Sequence, residues 1–130
     1  MTAEEVLRAH AEELAQATGL QIEVLAEAGR LFVWLQHVPL PSGWALPVSD
    51  VLYLTDAAYP LSALDMFWTE TGLTLANGEI APNTNVVKRY LDRDWRRFSW
   101  HAPAKGRPVA NPLLEHYALM EDRLAREAAA

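Results

Sequence analysis

The chain has 130 residues, 51% of them hydrophobic, no cysteine and a net charge of −6. That length suits one domain, residues 1–130, large enough to bury a core. The lack of cysteine excludes disulfides, thiolate metal sites and any cysteine nucleophile, and fits a reducing compartment. Thr2-Ala3-Glu4-Glu5 reads as a capping box, with Thr2 accepting from the Glu5 N–H and Glu5 reaching back. Val6, Leu7, His10, Leu14 and Ala17 then recur at helical spacing and Gly19 supplies a stop, which predicts a helix over 2–18. Leu20, Ile22 and Val24 alternate as a strand, Ala28-Gly29-Arg30 turns the chain, and Leu31 to Val38 forms a second strand of the hairpin. Pro39 to Gly43 reads as a loop. Leu52 and Leu54 flank Val51 and Tyr53 in a third strand, and Asp65 to Thr69 gives a short fourth.

The segment from Glu70 to Pro108 is harder to place, with Asn77-Gly78 as a turn and one helical turn expected around Val86 to Trp95. Asn111 as N-cap with Pro112 at the first helical position opens a second helix, whose buried face is Leu113, Tyr117, Met120 and Leu124. The expected class is α+β: an N-terminal helix, a four-stranded antiparallel meander, an irregular active-site-like segment and a C-terminal helix. No apolar stretch approaches the ~18 residues of a membrane span, and the acidic N-terminus has no export-signal core, so a cytoplasmic, non-membrane protein is expected.

This order, with Tyr59-Pro60 directly after the third strand and Asn77-Gly78-Glu79-Ile80 in the following segment, resembles the ubiquitin-conjugating enzyme superfamily. There a Tyr-Pro motif precedes the fourth strand and an Asn-Gly-x-Ile-Cys signature ends in the catalytic cysteine. Ala81 stands where that cysteine falls. The stretches YPLSALDMFW and WRRFSWH are similar to a bacterial branch, prokaryotic family E, whose members tend to lie beside genes for ubiquitin-like proteins, activating enzymes and JAB-type peptidases. The His-Pro-Asn element of eukaryotic members is replaced by Thr71-Gly72-Leu73-Thr74, and the chain has one C-terminal helix where typical members have more. The resemblance implies a partner that is a ubiquitin-like protein, its activating enzyme or another conjugating subunit. It also implies that Ala81 lies on a surface groove.

Without cysteine, carrying a ubiquitin-like protein would need an oxyester on a hydroxyl. Ser99-Trp100-His101 offers one: in extended chain Ser99 and His101 share a face, with Asp92 or Asp94 to orient the imidazole. The bland alternative is a serine that hydrogen-bonds a loop. Scattered histidines without an i, i+4 pair point to no metal site, and no cofactor is expected. Seven of the 11 basic residues fall between Lys88 and Arg107 against two acids, a net of +5 that leaves −11 for the rest. Arg89, Arg93, Arg96 and Arg97 are thus a candidate contact surface for an acidic partner. A nucleic-acid protein would be basic overall, which argues against that class. Trp44, in a Pro/Gly loop, is either an exposed partner anchor or a cap over the sheet.

Overall fold

The computed structural model describes residues 1–62, 64–99 and 110–129. Helix α1 spans Ala3–Thr18, followed by strands β1 (Ile22–Glu27), β2 (Arg30–Pro39), β3 (Val48–Thr55), β4 (Phe67–Glu70), β5 (Val86–Tyr90) and β6 (Arg93–Phe98), and helix α2 (Pro112–Ala129). The strands form one antiparallel sheet in the order β1-β2-β3-β4-β6-β5. The α+β class and the helix–sheet–helix order hold, but the sheet has six strands rather than four. The helical turn expected around Val86 to Trp95 is instead the β5–β6 hairpin.

Both helix starts follow from their capping residues. Thr2 and Glu5 exchange their side-chain and backbone bonds at 3.0 and 3.1 Å, and Gly19 closes α1 in the left-handed conformation at φ 76°. Asn111 Oδ1 accepts from the N–H groups of Leu113 and Leu114, while its amide donates to His10 O and Glu13, tying the start of α2 to α1.

Strand alternation sends side chains to two layers. On one face Val33, Leu35, Val51, Tyr53, Phe67 and Phe98 pack with Leu7 and Leu14 of α1 and Leu113, Met120 and Leu124 of α2. On the other face Phe32, Leu52, Trp68 and Trp95 form a second cluster, reached by Trp34, Tyr90 and Leu91. Among the described residues no helix covers this layer; the β5–β6 hairpin does. Tyr90 lies 5.6 Å from the Phe32 ring and 5.2 Å edge-on from Trp68, and Trp95 meets Trp34 edge-on at 5.5 Å. The hairpin turns on Leu91 and Asp92, both at positive φ (55° and 59°), a conformation that fits the strand twist but is usually given to Asn or Gly.

A half-buried polar hub fastens the hairpin to the sheet. In β2 a bulge between Leu35 and Val38 leaves the His37 N–H unpaired by the ladder, and Asp50 Oδ1 accepts it at 2.9 Å. The same carboxylate accepts from Trp34 Nε1 at 3.1 Å and from Arg93 at 2.8 Å. Arg93 also pairs with Glu70 at 3.3 Å and lies over the Trp95 and Trp34 rings at 4.7 and 5.6 Å.

Candidate functional site

The segment between β4 and β5 is held from two sides. Trp44 and Leu75 bridge, the Ala45 N–H donates to Thr74 O, and the Ala76 N–H donates to Gly43 O. Asn77 Oδ1 accepts from the Glu79 N–H at 2.9 Å and Gly78 takes φ 88°, so Asn-Gly is the turn its sequence implies. From the hairpin, Arg96 donates to Thr84 O at 2.7 Å and to Thr71 O at 3.3 Å, clamping both ends of the segment.

Ala81 does not lie on a surface groove. It is 3% exposed and belongs to the helix-side core, with its carbonyl accepting the Thr84 hydroxyl at 2.6 Å. Its neighbours Glu79, Ile80, Pro82 and Asn83 are exposed instead. The surface expectation fails because the Arg96 clamp and the Thr84 bond fold this residue inward. An Ala81→Cys thiol is therefore expected to react with a disulfide reagent at least ~100-fold more slowly in the native protein than in denaturant, since it becomes accessible only on opening. Adding sulfur to a packed site should also cost about 1–3 kcal/mol. Labelling rates followed by mass spectrometry check this; equal rates in both states would put position 81 at the surface.

Ser99 leaves the end of β6 beside this segment, its N–H donating to Asn83 O at 2.9 Å. Its hydroxyl oxygen accepts from Arg97 Nε at 2.9 Å. His101, the expected base, lies outside the described residues, as does Trp100. Asp92 and Asp94 are at the far end of the hairpin, where Asp94 pairs with Arg89 at 3.3 Å.

The four arginines are not one surface. Arg93 is committed to Asp50 and Glu70 and is a fold staple, not a free contact. Arg96 is committed to two carbonyls. Arg89 caps Asp92 O but is exposed, and Arg97 is half-buried with no carboxylate partner among the described residues. Lys88, not singled out from the sequence, is exposed on β5; its strand position was the missing signal. Trp44 is not an exposed anchor. It is 7% exposed, with Nε1 donating to Leu124 O at 3.0 Å across 80 residues of chain. The loop presses so closely on α2 that a Cβ at Gly43 would sit 2.8 Å from Ala128 Cβ.

Elsewhere, His10 Nδ1 meets the Tyr59 hydroxyl at 2.7 Å, which uses both groups in packing α1. An open groove of about 460 Å³ between the start of α1, the β1–β2 turn and Ala57 shares no residue with the segment around Ala81. Among the described residues there is no cluster of three or more potential metal ligands, and no helix is long and apolar enough to cross a membrane.

Two helices on one face of an antiparallel sheet, with the Tyr59-Pro60 and Asn77-Gly78 segments following the third and fourth strands, are compatible with the E2-like class of folds. Residues 7–127 match the model of prokaryotic E2 family E, and the chain belongs to that family. No curated protein and no solved structure matches it. Membership connects the chain with bacterial ubiquitin-like conjugation in general.

Proposed function

We propose that the chain is a non-catalytic, conjugating-like subunit that binds a ubiquitin-like protein or its activating or conjugating enzyme. The observation that carries this reading is the residue after Asn77-Gly78-Glu79-Ile80: a buried alanine in a chain without cysteine. A carrier must present its nucleophile to two other proteins in turn, and position 81 presents nothing.

A second reading has one observation in its favour. Ser99 stands against Asn83, two residues from Ala81, so an oxyester there would occupy the same neighbourhood. Against it, the only side chain on the Ser99 hydroxyl among the described residues is the Arg97 guanidinium, which donates and cannot act as a base. A nucleic-acid role fares worse. The aromatic rings that would stack on bases are roofed by the hairpin, and no exposed large hydrophobic residue among those described is aromatic.

Mixed with its ubiquitin-like protein, the activating enzyme and ATP, the wild type is expected to form no covalent adduct, and Ser99→Ala is expected to bind the partner as the wild type does. An alkali-labile, Ser99-dependent species of the combined mass would overturn the non-catalytic reading. Joint reversal of the exposed cations, Lys88→Glu with Arg89→Glu, is expected to weaken partner binding roughly tenfold at low salt and less at high salt. Arg93 is unsuitable for this test because its loss unfastens the hairpin.

A further inference from the structure

The sheet ends in two edges, β1 and β5. The β5 edge is short and charged, and among the described residues it is open. Because the β5–β6 hairpin closes on a two-residue turn, Tyr90 and Arg93 face each other as a hydrogen-bonded pair, and Lys88 with Trp95 and Val86 with Arg97 repeat that pattern. The N–H and C=O groups of Val87 and Arg89 therefore point away from β6. No described backbone group meets them.

The side chains around that edge are basic on both faces of the sheet. By register, Lys88 lies diagonal to Arg97 on one face, and Arg89 lies diagonal to Arg96 on the other. Between them Val87 is 45% exposed, an apolar contact at the rim. Lysine on an edge strand guards against pairing with another chain, but the guard is charge-selective. It repels a basic strand and attracts an acidic one.

We infer that the β5 edge is a docking site for an extended acidic segment of a partner protein, which adds to the sheet as a seventh strand through the outward groups of Val87 and Arg89. Its carboxylates meet Lys88 and Arg97 on one face and Arg89 on the other. This is strand addition, in which main-chain bonds supply the affinity and side chains the selectivity. It names a contact for the partner in the reading above and so rests on that reading for its biological role, but the chemistry of the edge stands without it. A second copy of the chain fits less well. Its own β5 would set Lys88 and Arg89 against like charges, and its β1 would give a head-to-tail contact, not a two-fold pair.

The test needs no conjugation enzyme. The labelled full-length protein is titrated at low salt with the synthetic peptide Glu-Glu-Val-Glu-Glu, which as a strand carries carboxylates on both faces, and, separately, with Lys-Lys-Val-Lys-Lys, while amide shifts and exchange are followed by NMR. The acidic peptide is expected to shift β5 and to protect the Val87 and Arg89 amides; the basic one is expected to do neither. Lys88→Glu with Arg89→Glu should weaken the acidic peptide at least ~tenfold, the scale of unfavourable charge placed at a docking rim. Val87→Pro, which removes one outward N–H, should abolish its binding. If that variant loses the hairpin, the charge-reversed pair keeps the ladder intact and decides the matter. Equal binding of both peptides, shifts that map away from β5, or protection of Val87 and Arg89 by self-association alone in sedimentation would overturn the inference. Failure here leaves the adduct experiment unaffected, and an adduct on Ser99 leaves this result unaffected.

Discussion

Trp95→Ala is expected to lower stability by about 3–5 kcal/mol, the range for removing a fully buried large aromatic side chain. Trp95 is 0% exposed and makes the contacts that hold the hairpin against the second face. Its ring meets Trp34, its Nε1 donates to Tyr90 O at 3.0 Å across the hairpin, and its face carries Arg93. Truncation leaves a void under Arg93 and unseats Tyr90 and Leu91, so Phe32, Leu52 and Trp68 become accessible. Urea unfolding should show the loss, and an apolar dye should bind the variant under native conditions but not the wild type. A loss below about 1 kcal/mol would mean that the hairpin does not depend on this ring.

Asp50→Asn is expected to cost about 2–4 kcal/mol, because it weakens three hydrogen bonds at once and leaves Arg93 facing an amide. The effect has a pH signature. Burial pushes the Asp50 carboxyl up, but the bonds from the His37 N–H, Arg93 and Trp34 outweigh it and hold the group below its ordinary value. A depressed carboxylate adds stability that is fully present above the unfolded value, about 3.9, and is lost as pH falls through the lower folded value. The wild type should therefore lose stability below about pH 4, and the variant should lose less over the same interval. Glu5, lowered by its bonds to Thr2, acts in the same direction in both proteins and cancels in the comparison. His116 is separable. Burial against the sheet lowers it despite the Met66 carbonyl, so its contribution fades as pH falls from about 6.5. Identical acid profiles for wild type and variant would remove Asp50 from the account.

What could be read from the sequence was local. Thr2, Glu5, Gly19 and Asn111 satisfy helix ends through bonds that reach two to four residues, so the chain text contains the whole interaction. The β1–β2 hairpin announced itself through strand alternation and Ala28-Gly29. The β5–β6 hairpin did not, since Lys88, Arg89, Arg93, Arg96 and Arg97 obscure the alternation and Leu91-Asp92 lacks the glycine that marks a two-residue turn. Trp44, open between anchor and cap in the sequence, and Ala81, expected at the surface, escape a local reading for a different reason. Their burial comes from partners distant in sequence, α2 for Trp44 and the helix-side core for Ala81, and no short window contains those contacts. The sequence singles out Ser99 but not its approach to Asn83, because that bond closes a loop of 16 residues.

The Leu91-Asp92 turn has a consequence for the order of assembly. Leu91 in the left-handed region costs roughly 1–2 kcal/mol and Asp92 adds a smaller amount, so this hairpin is disfavoured as an isolated piece of chain. Ala28-Gly29 spares the first hairpin one of those penalties. The face formed by Phe32, Leu52 and Trp68 must exist before Leu91 and Tyr90 have anything to settle on, and only that settling offsets the strain. The roof is thus built after the floor. A nascent chain holds its second aromatic layer open until β6 finds β4, and during that interval the unroofed face is where a chaperone would engage or an aggregate would start. An Asn-Gly turn would shorten the wait, at the cost of the leucine that helps close the layer.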